Sequence, residues 1–222
     1  MVDKAFITGG ARGIGAAIAA VLVRDGLDVW APTREDLDLA NIEAVESFLN
    51  MNTDYVPDVL VINAGENNPQ DLLDVSLENW SHTLDVNLTS AFLILRDFGS
   101  RMLKKRRGRI VVVSSVYSIR AREGRAPYSV SKAGLNALVR SAALEFAPAG
   151  VLVNGICPGF VLTDMTRQNN DDDDIKRLEG QIPLGRLADP VEVAELVEYL
   201  ASFRNTYITG QLIAIDGGFL CR

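Results

Sequence analysis

The chain opens with a short apolar segment, a glycine-rich turn and an alanine-rich helix, and this order restricts the possible folds more than any other feature. Residues 4–7 (KAFI) predict a buried strand, the turn TGGARGIG follows at 8–15, and the helix runs to about Asp25, where Gly26 is a C-cap. A second strand is predicted at 27–31. Glycines allow unusual backbone conformations and let phosphates approach the helix N-terminus, so the unit predicts a dinucleotide site rather than a purely structural turn.

The rest of the chain continues to alternate apolar strands with helices. Continuous apolar runs such as 59–62 (VLVI) are typical of strands that are buried on both faces of a parallel sheet. We therefore predict an α/β fold of the Rossmann type, a doubly wound parallel sheet in a single domain spanning 1–222, without a linker or repeat. The later strands are predicted at 59–62, 110–113, 151–156 and 212–215, and the helices at 41–51, 76–105 in two segments, 128–147 and 190–202.

The segment after the second strand is too short to contain the usual next strand. The second strand ends near Arg34, and the sequence LDL at 37–39 resembles another strand. Parallel neighbours need a crossover of about a dozen residues or more, whereas only two or three residues separate these segments. We therefore predict that an outer strand and its helix are missing, which leaves a sheet of six strands.

The composition limits which cellular compartments and which kinds of partner are compatible with the chain. The chain has 222 residues, 48% of them hydrophobic, and a net charge of −7, which suits one domain with a sizeable core and argues against nucleic acid as the main partner. No apolar run approaches the ~18 residues of a membrane span, and the N-terminus lacks a signal-peptide pattern. Two cysteines, Cys157 and Cys221, and one histidine predict neither a disulfide framework nor a metal site. We expect a cytoplasmic protein.

Three local patterns give expectations about exposure. Trp80 and Phe92 are predicted to lie on buried helix faces. The basic run KKRR at 104–107 falls at a helix C-terminus, where cations are favourable, and is interpreted as a solvated cap. The acidic run DDDD at 171–174 is interpreted as a solvated loop.

The stretch from Ser115 to Lys132 carries the candidate chemistry. Tyr128 and Lys132 lie four positions apart at the start of a predicted helix and therefore share a face, with Cβ atoms roughly 5–6 Å apart. An ammonium beside a phenol favours the phenolate, so Lys132 is expected to lower a tyrosine pKa that starts near ~10 and to make Tyr128 a candidate acid and base. Taken alone, this weak pattern is more often an ordinary helix start with an exposed Tyr and Lys.

Other polar residues are predicted to join Tyr128 at one edge of the sheet. Arg12, Asn63, Ser115 and Pro158 each follow a predicted strand. Ligands of doubly wound sheets bind at the carboxyl ends of the strands. These residues are therefore expected to converge, although they are far apart in the sequence.

Together these motifs resemble the short-chain dehydrogenase/reductase family, in its short single-domain branch. The resemblance extends from Phe6 to Gly218, and the motifs follow the family's order. It implies an oxidoreductase that interconverts a ketone and a secondary alcohol by hydride transfer with a nicotinamide cofactor. The matching residues are Thr8-Gly9-x-x-x-Gly13-x-Gly15, Asn63-Ala64-Gly65, Asn87 within DVNL, Ser115, Tyr128-x-x-x-Lys132, Asn154-x-x-x-Pro158-Gly159 with Thr163, and the C-terminal QIPLGR, ITGQ and DGG.

The resemblance also implies roles for individual residues. Tyr128 is expected to be the general acid of ketone reduction and the base of alcohol oxidation, Ser115 to polarise the carbonyl, and Lys132 to bind the nicotinamide ribose. Asn87 is expected to hold a water in a proton relay, unless its amide makes a structural bond at a helix kink. The implied cofactor-binding residues are Thr8, Gly9, Arg12, Gly13, Ile14, Gly15, Arg34, Asp38, Leu39, Asn63, Ala64, Gly65, Tyr128, Lys132, Pro158, Gly159, Val161 and Thr163.

The loop after the second strand bears on the choice of nucleotide. NAD enzymes often place an acid there to hold the ribose diol. The corresponding residue here is the neutral Thr33, Arg34 follows it, and Arg12 lies in the glycine turn. Guanidinium groups suit a 2′-phosphate, so we predict a preference for NADP(H). NAD(H) is the alternative if Glu35 or Asp36 reaches the ribose.

The segment at 161–181 is expected to cover the substrate pocket, as it does in the family. It contains Met165, Arg167, two adjacent Asn and the acidic run, which is too polar for a fatty-acyl tunnel. The substrate is therefore not predicted from this segment.

Three arginines, Arg120, Arg122 and Arg125, lie between Ser115 and Tyr128. One interpretation is that they bind an anionic substrate or carrier. The more favoured interpretation is that they simply lie in an exposed loop. The chain most resembles 3-oxoacyl-[acyl-carrier-protein] reductases, but the same motifs occur in sugar, polyol and secondary-alcohol dehydrogenases.

A non-catalytic nucleotide-binding regulator is a remote alternative, which the complete set of four candidate catalytic residues disfavours. The family also implies a homodimer or homotetramer, with a small-molecule carbonyl or alcohol as substrate.

Overall fold

The core of the fold is a parallel sheet. The computed structural model describes residues 2–163, 166–167 and 171–222. In this part of the chain six strands pair in the order β2-β1-β3-β4-β5-β6, and every pair is parallel. This confirms the predicted Rossmann-type sheet. The strands are β1 (Lys4–Ile7), β2 (Asp28–Trp30), β3 (Val59–Ile62), β4 (Gly108–Val113), β5 (Val151–Pro158) and β6 (Leu212–Ile215).

Helices cover both faces of the sheet. Ile18 and Val197 belong to an apolar cluster on one face, and Phe48, Phe98 and Val139 belong to a second cluster on the other. Among the described residues, no helix is both long and apolar enough to cross a membrane. The helices are α1 (Gly13–Arg24), α2 (Ile42–Met51), α3 (Leu77–Leu84), α4 (Ser90–Lys105), α5 (Ala126–Phe146), α6 (Asp172–Glu179) and α7 (Pro190–Ala201), and a π-helical turn, Asp85–Thr89, joins α3 to α4.

Side-chain caps fix where two of these helices begin. The Asn41 Oδ1 accepts a hydrogen bond of 3.0 Å from the Ala44 N–H at the start of α2. At α7 the Asp189 carboxylate accepts from the Val191 N–H at 2.9 Å, and the Glu192 carboxylate accepts from the Asp189 N–H at 2.8 Å. These bonds satisfy N–H groups that a helix leaves unpaired. The predicted N-termini of both helices are confirmed.

β2 is the edge strand of the sheet, as the shortened sequence after it predicts. The chain turns directly after β2, where the Leu37 N–H donates to the Thr33 carbonyl at 3.0 Å. Leu37 is buried against the core below α2. In the described part of the chain no strand lies outside β2, so the predicted loss of an outer strand is confirmed.

Two expectations are wrong, one about secondary structure and one about exposure. The acidic run is not a loop, because Asp171 caps α6 through a 2.7 Å bond from the Asp174 N–H. Carboxylates are favourable at the positive end of a helix, which explains why clustered acids begin one here. Phe92 is 42% exposed and stacks with Arg96, whose guanidinium carbon lies 5.4 Å from the ring centroid.

Candidate active site

The glycine turn between β1 and α1 is bound to the loop after β3. The Thr8 Oγ1 accepts from the N–H groups of Asn63 at 3.0 Å and Ala64 at 3.1 Å. The Asn63 Nδ2 donates back to the carbonyls of Thr8 and Gly9, both at 3.1 Å. These four bonds hold two distant motifs together at the carboxyl edge of the sheet.

The glycines of the turn allow a backbone conformation and a close approach that a side chain would prevent. A Cβ at Gly15 would lie 2.0 Å from the Gly9 carbonyl oxygen, and Gly13 has a φ of +56°. Arg12 precedes α1, and its exposed side chain makes no capping bond to the helix. The helix N-terminus is therefore open to an anion, and this cradle fits the phosphates of a dinucleotide. Ile14 lies half-buried in the first turn of α1.

The loop after β2 contains the candidate ribose contacts. Asp36 is held by Thr33, whose N–H and hydroxyl donate to its carboxylate at 3.0 and 2.8 Å, and these bonds lower the pKa of Asp36. The exposed Arg34 lies 3.6 Å from the Asp38 carboxylate, which also accepts from the Ala40 N–H at 3.2 Å. Leu39 packs against the core. Asp36 thus points back at its own loop, and Arg34 remains exposed.

Asn87 lies in the π-helical turn and is fully buried. Its amide donates to the Glu66 carbonyl at 2.9 Å and to the Ser131 hydroxyl at 3.0 Å, and it accepts from the Glu66 N–H at 2.8 Å. The side chain therefore makes the structural bond considered as an alternative from the sequence. It fixes the loop after β3 beside α5. π-turns of this kind are frequent at functional sites.

Lys132 is buried on α5 beside that loop. Its Nζ donates to the Val113 carbonyl at the end of β4, at 2.9 Å. A Cβ at Gly65 would lie 3.1 Å from this Nζ, so a larger residue would crowd it. Burial lowers the pKa of Lys132 to about 8. The ammonium lies 5.6 Å from the centroid of the Tyr128 ring.

Tyr128 lies at the start of α5 and is half-buried. Burial raises the pKa of its phenol, while a hydrogen bond with Ser115 and the charge of Arg125 act in the opposite direction. The prediction that Lys132 would bring this pKa below its ordinary value is therefore wrong for this structure. The reason is that desolvation disfavours the charged form of both groups, the phenolate and the ammonium.

The two serines at the end of β4 face different neighbours. The Ser114 hydroxyl donates to the Lys132 carbonyl at 3.2 Å and so fastens α5 to the sheet. The Ser115 hydroxyl accepts from the Tyr117 N–H at 3.1 Å, and its interaction with Tyr128 acts to lower the pKa of that phenol. The serine selected by its thirteen-residue distance from Tyr128 is the one that meets it.

The loop after β5 closes over the glycine turn. The Gly159 N–H donates to the Ile215 carbonyl at 2.9 Å, directly after Pro158 at the end of β5. The buried Val161 pairs with Ala188 in an isolated bridge. The Thr163 methyl carbon would lie 3.3 Å from a Cβ at Gly13. Met165, predicted to cover the pocket, lies outside the described residues.

The sequence missed the Ser131 hydroxyl beside Asn87, and it also missed the backbone partners Glu66 and Val113. Glu66 and Val113 both act through backbone atoms, a carbonyl and an N–H in Glu66 and a carbonyl in Val113. No residue-type pattern marks such contacts. The position of Val113 at the end of a buried strand was the one available signal.

Comparison with known proteins agrees with this arrangement. A family model described as enoyl-(acyl carrier protein) reductase matches residues 37–220. The chain is 38% identical to the 3-oxoacyl-[acyl-carrier-protein] reductase FabG of Vibrio cholerae, with 96% of each chain covered. It is 35% identical to the acetoacetyl-CoA reductase of an Acinetobacter species, again over 96% of each.

A solved structure shows the same fold. It is a Beutenbergia cavernae protein assigned as an NAD(P)-dependent gluconate 5-dehydrogenase, with NADP bound at low occupancy. The two chains are 33% identical, the TM-score is 0.89, and the match covers 99% of this chain and 97% of the other. The chain therefore belongs to the short-chain dehydrogenase/reductase family of NAD(P)-dependent oxidoreductases, as its motifs predicted.

Proposed function

We propose that the protein reduces the ketone of a 3-oxoacyl thioester to a secondary alcohol, with Tyr128 as proton donor. The observation that carries this proposal is the placement of Tyr128 at the start of α5, where the buried Lys132 ammonium lies 5.6 Å from its ring centroid and Ser115 interacts with its phenol. The names of the two curated relatives support the substrate class, since both describe reductases of 3-oxoacyl thioesters. A sugar, polyol or other secondary-alcohol dehydrogenase is the second candidate, and the name of the Beutenbergia protein favours it.

The proposed mechanism needs two hydroxyl groups at the carbonyl oxygen. The nicotinamide supplies a hydride to the carbonyl carbon when it is bound. Ser115 donates a hydrogen bond to the oxygen, and Tyr128 transfers its phenolic proton there as negative charge develops. Burial keeps Tyr128 protonated at neutral pH, which suits an acid. Lys132 is mostly charged at pH 7 and stabilises the phenolate that remains.

The nucleotide is expected to lie along the carboxyl edge of the sheet. The glycine turn, the residues at 63–65 and the loop after β5 surround this edge, and the exposed Arg12 and Arg34 lie at its outer part. We assign the phosphates to the glycine turn. For Asn87 we propose that it holds the loop after β3 in place and that it also takes part in a proton relay. The same residues that the sequence predicts, including Pro158 and Thr163, are proposed as nucleotide contacts.

A direct assay tests the proposed reaction. Purified protein with NADPH should reduce 3-oxoacyl thioesters near pH 7, followed as loss of NADPH absorbance. Oxidation of the 3-hydroxyacyl product requires Tyr128 to accept a proton, so its rate should rise with pH as the raised pKa is approached. Failure to turn over thioesters, ketones or keto-sugars with either nucleotide would contradict the proposal.

NADP(H) is the proposed cofactor, because the Arg34 side chain is exposed, with Asp38 at 3.6 Å, while the Asp36 carboxylate accepts hydrogen bonds from Thr33. Substituting Arg34→Ala should lower kcat/KM for NADPH about tenfold, as expected for one exposed charge-assisted contact. The value for NADH should hardly change. Arg24→Ala is the matched control, since Arg24 ends α1 at the opposite edge of the sheet. A preference of the wild-type protein for NADH of about tenfold or more would refute this assignment.

A homodimer or homotetramer in the cytoplasm is also proposed. Apolar side chains on two long helices support the assembly, since Phe92 on α4 is 42% exposed and Val130 and Leu144 on α5 are 45% and 80% exposed. Exposed apolar side chains of this kind are stabilised when a second copy of the chain buries them.

A further inference from the structure

A basic pocket lies next to the proton donor and has no role in the mechanism above. It is a cavity of about 360 Å³ whose lining includes Tyr117, Arg120, Arg122, Phe219 and Arg222. The Tyr117 ring lies 6.4 Å from the Tyr128 ring, centroid to centroid. One aromatic side chain therefore separates the pocket from the reacting centre.

Two arginines of the pocket, Arg122 and Arg222, donate to uncharged groups. The Arg122 guanidinium donates to the Tyr117 hydroxyl at 2.8 Å. Arg120 donates to the Arg222 main-chain oxygen at 3.2 Å and stacks over Phe219, and Arg222 donates to the Gly180 carbonyl at 3.2 Å. Within the described ranges, no Asp or Glu side chain lies within 4.0 Å of any of these three guanidinium groups.

Arg125 is a further arginine near this pocket, although it is not one of the residues that line it. It immediately precedes α5, one helical turn before Tyr128, and is half-buried. Burial lowers the pKa of Arg125. No acidic side chain pairs with it in the described part of the chain. A partly buried cation without an anion is costly, and a bound anion would offset that cost.

We infer that this pocket, with Arg122 as its main donor and Arg125 near it, binds an oxyanion carried by the substrate on the side of Tyr117 away from the carbonyl. The inference rests on the proposed function and names the substrate class more closely: a carbonyl compound with a carboxylate or phosphate. Guanidinium groups bind both anions through paired hydrogen bonds. The aromatic walls formed by Tyr117 and Phe219 exclude water from the apolar part of such a substrate.

Matched substrates separate the charge from the rest of the molecule. One arm compares straight-chain oxo-carboxylates of increasing length with their methyl esters. The other compares acetoacetyl-CoA with the neutral acetoacetyl-N-acetylcysteamine thioester. In the wild-type protein the anionic member of at least one pair should have the lower KM. A lower KM for the oxo-carboxylates than for their esters identifies the anion as a carboxylate. A lower KM for acetoacetyl-CoA than for the neutral thioester identifies it as a phosphate.

Substitutions of the arginines test whether the difference in KM between charged and neutral substrates arises at the pocket. Arg122→Ala and Arg125→Ala should each raise KM for the anionic substrate about 10- to 100-fold, as expected for a lost charge-assisted contact. KM for the neutral partner should be unchanged, and Arg122→Lys should recover part of the loss. Arg24→Ala, at the opposite edge of the sheet, is the control. Should a variant fail to fold, the wild-type KM for the anionic substrate alone should still rise with ionic strength.

Two results would overturn the inference. One is equal KM values for the charged and neutral members of both pairs. The other is a charge preference that survives both Ala substitutions. Neither result affects the proposed function, which depends on turnover itself and on its loss in Tyr128→Phe with every substrate.

Discussion

Tyr128→Phe should lower kcat by about 10²- to 10⁴-fold, the usual contribution of a positioned general acid. The substitution removes the phenolic proton and leaves the ring, so its packing against Tyr117 is kept. Nucleotide affinity should hardly change, because the glycine turn and the loop after β3 are bonded to each other independently of Tyr128. Steady-state turnover and a nucleotide titration of the same preparation measure the two quantities.

The control for this experiment is a tyrosine outside the site. Tyr199 on α7 is 41% exposed and stacks with Arg204, so Tyr199→Phe should leave both turnover and affinity as they are. If Tyr128→Phe retained full activity, Tyr128 would not be the acid, and the whole mechanism would be wrong. If it lost nucleotide binding together with turnover, the phenol would act in binding.

The sequence predicted the sheet because burial leaves a simple signature. β3 was located to the residue, since a continuous apolar run is typical of a strand buried between two helical layers. β6 was also located to the residue, although it is an edge strand and only partly buried. The absent outer strand was predicted from the length of one connection. Chain-length arguments of this kind hold because a parallel crossover has a minimum size.

The environment of the site was harder to predict. A pattern of residue types placed Tyr128 and Lys132 on one face of α5 but gave no degree of burial, and burial decides the direction in which both pKa values move. Phe92 illustrates the same limit. Its apolar character indicated a buried face, yet an arginine and solvent cover it in the structure.

The basic run at the end of α4 is largely exposed, as the sequence predicts, but two of its residues also pair with a buried carboxylate. Asp58 precedes β3 and its side chain is only 5% exposed. It accepts from Lys105 Nζ at 2.5 Å and from the Lys4 N–H at 3.0 Å, and it also bonds with Arg107. Arg107 is held in turn by Asp3 at 2.7 Å. Two of the four basic residues thus join three segments at the amino edge of the sheet.

Asp58→Asn should destabilise the protein by about 2–3 kcal/mol at pH 7, near the lower end of the range for breaking a buried pair. The cost stays near that lower end because Lys105 and Arg107 are 35% and 39% exposed and can regain water. Burial raises the pKa of Asp58, but the bonds from Lys105 and the Lys4 N–H outweigh it, and the net pKa is lowered. Urea unfolding of both proteins measures the difference in free energy.

The dependence on pH separates the charge of Asp58 from its shape. A carboxylate whose pKa is lowered by folding stabilises the protein fully above its unfolded pKa of about 4, and this stabilisation is lost as the pH falls through the folded value. The difference between wild type and Asp58→Asn should therefore shrink on acidification. Asp25→Asn removes the exposed partner of Arg24 and should change stability by less than about 0.5 kcal/mol. A difference for Asp58→Asn that stayed constant with pH would show that lost packing, rather than the ion pairs, causes the destabilisation.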